Sequence, residues 1–145
     1  MKIKKVIRAI WLPFFCGLLA FLLFRFVFFL GYVPSESMEP TISAGSFIIG
    51  NRLYDELHRG DIVIFERDGR YLVKRIAAVP GDIVYIDDGD RSVSINTAMA
   101  DATRILTVPE DAYFVLGDNT EASVDSRYWN QVFLGEEDIV AVLLG

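Results

Sequence analysis

Hydrophobic residues divide this chain into two parts. Residues 9–33 are almost entirely apolar, and Arg25 is the only formally charged side chain among them. A helix of this length would reach about 37 Å, more than the ~30 Å hydrocarbon core of a bilayer. The pattern therefore predicts a transmembrane helix over residues 9–33, with a short segment over 1–8 before it and an exported domain over 34–145.

A cleavable signal peptide is the alternative interpretation of the apolar run. The apolar region of such a peptide usually spans ~7–15 residues and ends at a small-x-small cleavage motif. The run here is longer, and FLGYVPSES offers a poor motif. Arg25 lies about two turns before the end of the run, where a long side chain can extend to the interface. A transmembrane helix is therefore favoured.

Beyond residue 34 the chain consists of short apolar segments separated by turn residues. Eight segments predict strands: SFIIGNRL, DIVIFE, YLVKRIAAV, DIVYID, SVSIN, RILTV, AYFVLG and IVAVLL. Asp68-Gly69 and Asp88-Gly89 are hairpin signals between neighbouring segments. The pattern predicts a mainly β fold, in which a single N-terminal transmembrane helix precedes an antiparallel coiled sheet or partly closed β-barrel.

Charge separates the same two parts of the chain. The first 31 residues carry five basic side chains and no acidic one, whereas the remainder carries nine basic and 20 acidic side chains. The positive-inside rule predicts a cytoplasmic N-terminus and a domain on the outer face of the membrane. The acidic balance of that domain argues against nucleic-acid binding. The only cysteine, Cys16, lies in the apolar run, which excludes thiol catalysis and an internal disulfide from the domain.

Two serines, Ser35 and Ser37, follow the apolar run within the segment PSESMEPT. A hydrolytic serine needs a base, and histidine is the commonest one. The single histidine, His58, lies in the charged turn YDELHRGD, where a solvent-facing side chain is the stronger interpretation, although a Ser–His–Asp triad stays open. Lysine is the other option, and Lys74 is the only lysine beyond residue 33.

The setting of Lys74 suits a general base. Period-2 alternation in YLVKRIAAV places Lys74 on the same strand face as Leu72 and Ile76. Burial among apolar neighbours disfavours an ammonium, and a base that acts near neutral pH needs a pKa about 3 units below ~10.4. A lysine that extends to solvent from a strand edge is the plain alternative.

Four motifs occur along the chain in a fixed order. They are PSESMEPT at 34–41, RGDIVIF at 59–65, VKRIAAVPGD at 73–82 and GDNTEASVDSR at 117–127. Together with the preceding apolar run, they resemble the type I signal peptidases, the membrane-bound Ser–Lys proteases of bacteria. The resemblance implies an endopeptidase of the bacterial cytoplasmic membrane that removes signal peptides from exported preproteins after small residues at −1 and −3. The lipid bilayer would be its second partner.

The resemblance also implies roles for individual residues. Ser37 matches the nucleophile and Lys74 the general base. Ser35 matches the hydroxyl that joins the Ser37 N–H in the oxyanion hole. Ser123 matches a serine that hydrogen-bonds the lysine and orients it. No metal-ligand cluster or phosphate-binding loop is evident in the sequence, so neither a metal nor a cofactor is expected.

Four further residues match supporting positions of the family. Asp125 and Arg127 match a pair that stabilises the site, which a loop salt bridge would equally explain. Met38 and Pro40 match residues that shape the substrate cleft. Glu36 departs from the family pattern, because many relatives have glycine there.

Two alternatives to a general signal peptidase remain open. One is a dedicated processing peptidase of the same fold that matures a single partner protein. The other is a non-catalytic, membrane-anchored β-domain that binds partners. Only 34 residues separate Asp82 from Gly117, which indicates a minimal catalytic core without an inserted second β-domain.

Overall fold

The structure is a computed structural model that describes residues 2–144, with side chains described from Trp11 onward. The predicted cytoplasmic segment 1–8 therefore lies outside the residues whose side chains are described. One helix, α1 (Lys2–Val27), precedes the strands. The strands are β1 (Phe28–Tyr32), β2 (Phe47–Asn51), β3 (Ile62–Arg67), β4 (Arg70–Ala78), β5 (Ile83–Ile86), β6 (Val93–Ile95), β7 (Arg104–Thr107), β8 (Ala112–Leu116), β9 (Leu134–Gly135) and β10 (Ile139–Leu143). A short 3-10 helix over Glu136–Asp138 lies between β9 and β10.

The eight segments predicted as strands form β2 to β8 and β10. Turn chemistry explains the tightest connection, between β3 and β4. Asp68 and Gly69 both have positive φ angles, 52° and 71°. A two-residue turn with positive φ at both positions matches the right-handed twist of the flanking strands, and Asp-Gly is a favoured sequence for it.

The strands form two antiparallel sheets. The larger sheet has seven strands in the order β1-β2-β10-β3-β4-β8-β9, and the smaller has the order β6-β5-β7. The larger sheet is open and ends at β1 and β9, so the prediction of a partly closed β-barrel is wrong. The strands between β4 and β8 pair with one another, and none of them joins the two outer edges of the larger sheet.

The predicted transmembrane helix over residues 9–33 is also wrong. Helix α1 ends at Val27, and Phe28–Tyr32 pairs with β2 as a strand. Within the described residues, no helix is both long and apolar enough to cross a bilayer. The prediction continued the helix through the last part of the apolar run, whereas five apolar residues such as Phe28–Tyr32 fit a strand as well as a helix. Phe29 is buried and Leu30 is exposed, which is the alternation of a strand.

The segment between β1 and β2 is fixed against the larger sheet. Val33, Met38 and Ile42 are buried in one apolar cluster with residues of the sheet. Gly45 N donates to Val33 O at 2.7 Å, which closes the segment into a compact loop. Ser37 lies in this loop between the buried anchors Val33 and Met38, so its position depends on the packing beneath it.

Candidate active site

Ser37 and Lys74 contact each other through their side chains. Lys74 Nζ donates to Ser37 Oγ at 2.7 Å, and only 4% of Lys74 and 7% of Ser37 is exposed. Ser37 comes from the loop between β1 and β2, whereas Lys74 lies in the middle of β4 opposite Val63 of β3. A hydroxyl and an amine at this distance can exchange a proton.

The surroundings of Lys74 favour its neutral form. Desolvation by burial lowers the pKa of Lys74 below its ordinary value, although the carboxylates of Asp125 and Asp118 act in the opposite direction. Leu72 and Ile76, which share its strand face, pack in an apolar cluster. None of the ion pairs among the described residues includes Lys74. An amine held this way is suited to accept a proton.

Ser35 places a second hydroxyl beside Ser37. The two Oγ atoms lie 3.3 Å apart, and Ser35 is exposed where Ser37 is buried. The backbone N–H of Ser37 has no acceptor among the described residues. The Ser35 hydroxyl and the Ser37 N–H are therefore two donors available to a group that approaches Ser37.

The loop at residues 117–119 packs directly against Ser37. Asn119 N donates to the Ser37 carbonyl oxygen at 3.1 Å. A Cβ atom at Gly117 would lie 2.5 Å from both the Ser37 carbonyl oxygen and Ser123 Cβ, closer than real Cβ atoms come to such neighbours. Only glycine allows this approach. The sequence did not indicate this contact, because it joins residues that are distant along the chain.

Asp125 and Arg127 form a buried ion pair next to this loop. Arg127 Nε and Nη2 donate to the two Asp125 oxygens, both at 2.8 Å. Asp125 also accepts the Gly117 N–H at 3.0 Å. Burial opposes ionisation, but the hydrogen bonds from Arg127 and from the Gly117 N–H lower the pKa of Asp125 below its usual range. The pair therefore holds Gly117, and Gly117 contacts the Ser37 loop.

A second ion pair, which sequence reasoning missed, joins β4 to the same loop. Arg75 Nε and Nη2 donate to the two Asp118 oxygens at 2.8 and 2.6 Å. Arg75 Nη1 donates to Gly60 O at 2.7 Å. Because Arg75 follows Lys74 and Asp118 follows Gly117, this pair fixes β4 relative to the loop that packs on Ser37. Both residues lie inside the matched motifs, but neither motif indicates that they meet.

Ser123 is buried beside Gly117 with 3% of its surface exposed. Its hydroxyl makes no hydrogen bond to Lys74 among the described residues, whereas its interaction with the Asp125 carboxylate contributes to the lowered pKa of Asp125. The lysine-orienting role of Ser123 stays a prediction.

A cleft of about 230 Å³ opens beside Ser37 and Lys74. Its walls are the chain that follows β1 and the first half of β4. Met38 is fully buried and borders the cleft, whereas Pro40 is exposed and is not part of its lining. Strand β4 pairs with β3 along one side over residues 70–75. On its other side it pairs with β8 only from Arg75 onward, so residues 70–74 have a free edge there without a described strand partner.

His58 lies apart from this group. Its side chain is 70% exposed, and its ring nitrogens lie 3.8 and 3.9 Å from carboxylate oxygens of Glu56 and Asp61. Its backbone N–H donates to Asp61 at 2.8 Å. No hydrogen bond among the described residues joins His58 to Ser37.

Comparisons with known proteins agree on one family. The family model described as "Signal peptidase, peptidase S26" matches residues 6–106 and 92–143. A probable signal peptidase I-2 from Synechocystis is 35% identical over 122 residues, which cover 70% of this chain and 55% of the relative. Signal peptidase I from Bacillus licheniformis is 35% identical over 132 residues, 75% of this chain and 71% of the relative.

Solved structures include a relative as well. The crystal structure of a signal peptidase I from Enterococcus faecalis matches with 30% sequence identity and a TM-score of 0.46, over 62% of this chain and 98% of that chain. The chain thus spans about half the length of the Synechocystis relative and most of the length of the Bacillus relative.

Proposed function

Because the chain belongs to the signal peptidase family, peptidase S26, we propose that it removes N-terminal signal peptides from exported preproteins with a Ser37–Lys74 dyad. Family membership places the chain among the serine-protease hydrolases. The observation that carries the proposal is the 2.7 Å hydrogen bond between two buried side chains, one a hydroxyl and the other the only lysine beyond residue 33.

The first step is proton transfer from Ser37 to Lys74. Neutral Lys74 accepts the hydroxyl proton while Ser37 Oγ attacks the scissile carbonyl carbon. Desolvation supports this role, because it lowers the pKa of Lys74 and so increases the neutral fraction at working pH. Exposed His58 has no part in the transfer.

The attack creates a negative charge on the substrate's carbonyl oxygen. The Ser37 N–H and the Ser35 hydroxyl are the donors that we assign to it, supported by the 3.3 Å separation of the two hydroxyl oxygens. Preorganised donors of this kind stabilise a transition state by roughly 3–4 kcal/mol each. Asn119 and Gly117 support the arrangement because they hold the Ser37 carbonyl side of the loop.

The leaving amine then takes the proton from Lys74, and the signal peptide stays attached to Ser37 as an ester. A water molecule gives up a proton to Lys74 and attacks the ester carbonyl, which releases the signal peptide and restores the Ser37 hydroxyl. Lys74 thus serves as base, then acid, in both halves of the reaction. Every proton that is transferred in the reaction passes through Lys74, so the proposed steps need no further acid or base.

The substrate binds as an extended strand in this proposal. The free edge at residues 70–74 offers backbone hydrogen bonds to an added strand, and alternate side chains of that strand would point into the cleft. The small volume of the cleft and its apolar lining, which includes Val33 and Met38, suit small residues at −1 and −3.

We place the domain at the outer face of the bacterial cytoplasmic membrane, in contact with lipid. Leu30, Tyr32 and Phe47 are 59%, 58% and 74% exposed, and Tyr32 lines the cleft. The Tyr32 and Phe47 rings lie 5.5 Å apart and form a continuous apolar surface. Apolar patches next to a site mark contacts with membranes or partners. A signal peptide that emerges from lipid would reach Ser37 directly.

The test is cleavage by the purified full chain in detergent. A preprotein with Ala at −1 and −3 should lose its signal peptide, and mass spectrometry of the mature N-terminus should place the cut after the −1 residue. Ser37→Ala should abolish cleavage in a chain that folds normally by circular dichroism. Cleavage of a single preprotein from a broad panel would indicate a dedicated processing peptidase instead. A folded wild-type chain that cleaves none of them would contradict the proposal.

A further inference from the structure

The smaller sheet reaches the segment that supports the dyad through one backbone carbonyl. Arg104 begins β7, opposite Ile86 of β5, and its Nη2 donates to the carbonyl oxygen of Arg127 at 3.1 Å. Arg91, in the turn between β5 and β6, donates to the same oxygen through Nη1 at 3.3 Å. Two cations from the smaller sheet therefore meet at one carbonyl of the segment 117–127, which contains the Asp125–Arg127 pair.

Asp88 holds both of these arginines. Its Oδ1 accepts Arg91 Nη1 and Arg104 Nη2, both at 2.7 Å, and its Oδ2 accepts Arg104 Nε at 3.0 Å. The Asp88 backbone N–H donates to the Thr103 hydroxyl oxygen at 2.9 Å. Charge-assisted hydrogen bonds to one carboxylate restrict where each guanidinium can point. The two arginines are therefore directed at the Arg127 carbonyl before any substrate binds.

Arg127 joins this cluster to the loop that packs on Ser37. Its guanidinium pairs with Asp125, and Asp125 accepts the Gly117 N–H. Arg127 Nη2 also donates to Thr120 O at 3.2 Å. Gly117 in turn approaches the Ser37 carbonyl oxygen so closely that a Cβ atom would not fit. A shift of the Arg127 backbone would therefore displace the contact that supports Ser37.

The smaller sheet has no direct part in substrate binding or in the dyad. None of its residues lines the cleft beside Ser37 and Lys74. No hydrogen bond among the described residues joins its side chains to either member of the dyad. Any effect of Arg91 and Arg104 on the reaction must therefore act through the residues that they contact.

We propose that Arg104 and Arg91 are positioning residues for the dyad, because their shared hold on the Arg127 carbonyl keeps Gly117 against the Ser37 loop. The inference rests on the proposed function and gives the smaller sheet a part in it. Asp88, Arg91 and Arg104 are all partly exposed, and ion pairs of this kind contribute little to stability. Their loss should therefore slow the reaction more than it weakens the fold.

The test measures kcat and KM of the full chain on one peptide in detergent. Arg104→Gln should lower kcat by about 2–30-fold, the range for substitutions along a network of contacts. KM should stay near the wild-type value, because no residue of the smaller sheet lines the cleft. Arg91→Gln should lower kcat by a smaller factor, since its bond to the Arg127 oxygen is the longer one.

Arg59→Gln is the matched control. Arg59 Nη2 donates to Asp82 at 2.6 Å, so this pair also joins the chain next to the smaller sheet to the chain next to β3. It does not contact Arg127, and the variant should therefore keep the wild-type kcat. A loss equal to that of Arg104→Gln would mean that any weaker attachment of the smaller sheet slows the reaction, and it would overturn the inference.

A second measurement separates positioning from a general structural effect. In a Gly117→Ala chain the loop is already displaced, so Arg104→Gln should lower kcat by a smaller factor there than in wild type. The same factor in both backgrounds would show that Arg104 acts independently of Gly117 and would overturn the inference. Arg91→Gln takes the place of Arg104→Gln in this comparison where the latter fails to fold by circular dichroism.

Two further results would also overturn the inference. They are a wild-type kcat in the folded Arg104→Gln and Arg91→Gln chains, and a higher KM with an unchanged kcat. Failure of wild type to cleave the peptide would instead refute the proposed function, and the positioning role would fall with it. Cleavage by wild type on the same peptide therefore distinguishes the two failures.

Discussion

The buried carboxylate of Asp125 accepts the backbone N–H of Gly117 at 3.0 Å while both of its oxygens accept hydrogen bonds from Arg127. One side chain thus joins an ion pair to the loop that touches Ser37. The arrangement explains why a residue that does not contact the dyad hydroxyl can determine where that hydroxyl lies.

Asp125→Asn should lower both stability and activity. The substitution leaves Arg127 buried without a countercharge, and loss of one partner of a buried pair costs about 3–5 kcal/mol. Denaturant unfolding followed by circular dichroism measures the change. Glu110→Gln, at an exposed position without an ion pair among the described residues, should be neutral. Equal midpoints for wild type and the Asn variant would contradict the structural role.

The same pair predicts the direction of acid sensitivity. The pKa of Asp125 is lower in the folded protein than in the unfolded chain, so its contribution to stability is complete above the unfolded value near ~3.9. That contribution is lost as pH falls through the lower folded value. The Asn variant, which cannot titrate there, should show a smaller drop in unfolding free energy over this acidic window than wild type.

Gly117→Ala should slow catalysis through kcat. The added methyl group would meet the Ser37 carbonyl oxygen and Ser123, so the loop must shift and the dyad hydrogen bond is displaced. Small misplacements of reacting groups can cost about 10²-fold in rate. Gly17→Ala is the control, because no atom lies within 4 Å of a Cβ there. Steady-state kinetics on one peptide should show loss for Gly117→Ala alone, and an unchanged kcat would refute the contact.

Lys74→Arg should be inactive even though it keeps the positive charge. A guanidinium has a pKa above ~12 and cannot give up its proton at working pH. His58→Ala should retain wild-type cleavage, since His58 is exposed and makes no hydrogen bond to Ser37 in the described structure. Peptide cleavage by the folded variants decides the point. An active Lys74→Arg enzyme or an inactive His58→Ala enzyme would favour a Ser–His–Asp triad over the Ser37–Lys74 dyad.

The pH profile follows from the same lysine. The pKa of Lys74 is lowered by burial, so kcat/KM should rise with pH through an apparent value below the ordinary ~10.4 as the ammonium loses its proton. The opposite slope, with activity highest in acid and lost as Lys74 becomes neutral, would exclude Lys74 as the base.

Ser35→Ala should slow turnover by about 10²–10³-fold without loss of folding, the usual cost of one oxyanion donor. Ser35 is exposed and its hydroxyl bonds only to Ser37 among the described residues, so stability should not change. Ser43→Ala, in the same loop and also exposed, is the matched control. A Ser35→Ala rate equal to that of wild type would remove Ser35 from the oxyanion hole.

Local periodicity predicted most of the strands but could not decide every element. Alternation and Asp-Gly turns located the β3–β4 hairpin, because both signals act between near neighbours. Phe28–Tyr32 was assigned to a helix, because an apolar run does not show in the sequence that it will pair with the distant strand β2. The two-residue strand Leu134–Gly135 is too short to show a period at all.

The candidate site was predictable to a different extent. Residue chemistry pointed to Lys74, and its pairing with Ser37 came from a family resemblance, because the two residues lie 37 positions apart in the chain. The Arg75–Asp118 pair and the close approach at Gly117 were missed for the same reason: they are tertiary contacts, and no local pattern specifies them.

The free edge of β4 at residues 70–74 also affects the association state of the protein when no substrate is bound. An exposed strand edge beside Tyr32 can accept another copy of the chain as readily as a substrate, so purified protein should be prone to self-association. A non-cleavable peptide that covers the edge would oppose this and would stabilise the fold by about 2.7 kcal/mol at 100 times its dissociation constant. A peptide bound at residues 70–74 would act as an additional strand of the sheet. Protein stored or crystallised with such a peptide should therefore associate less and be more stable.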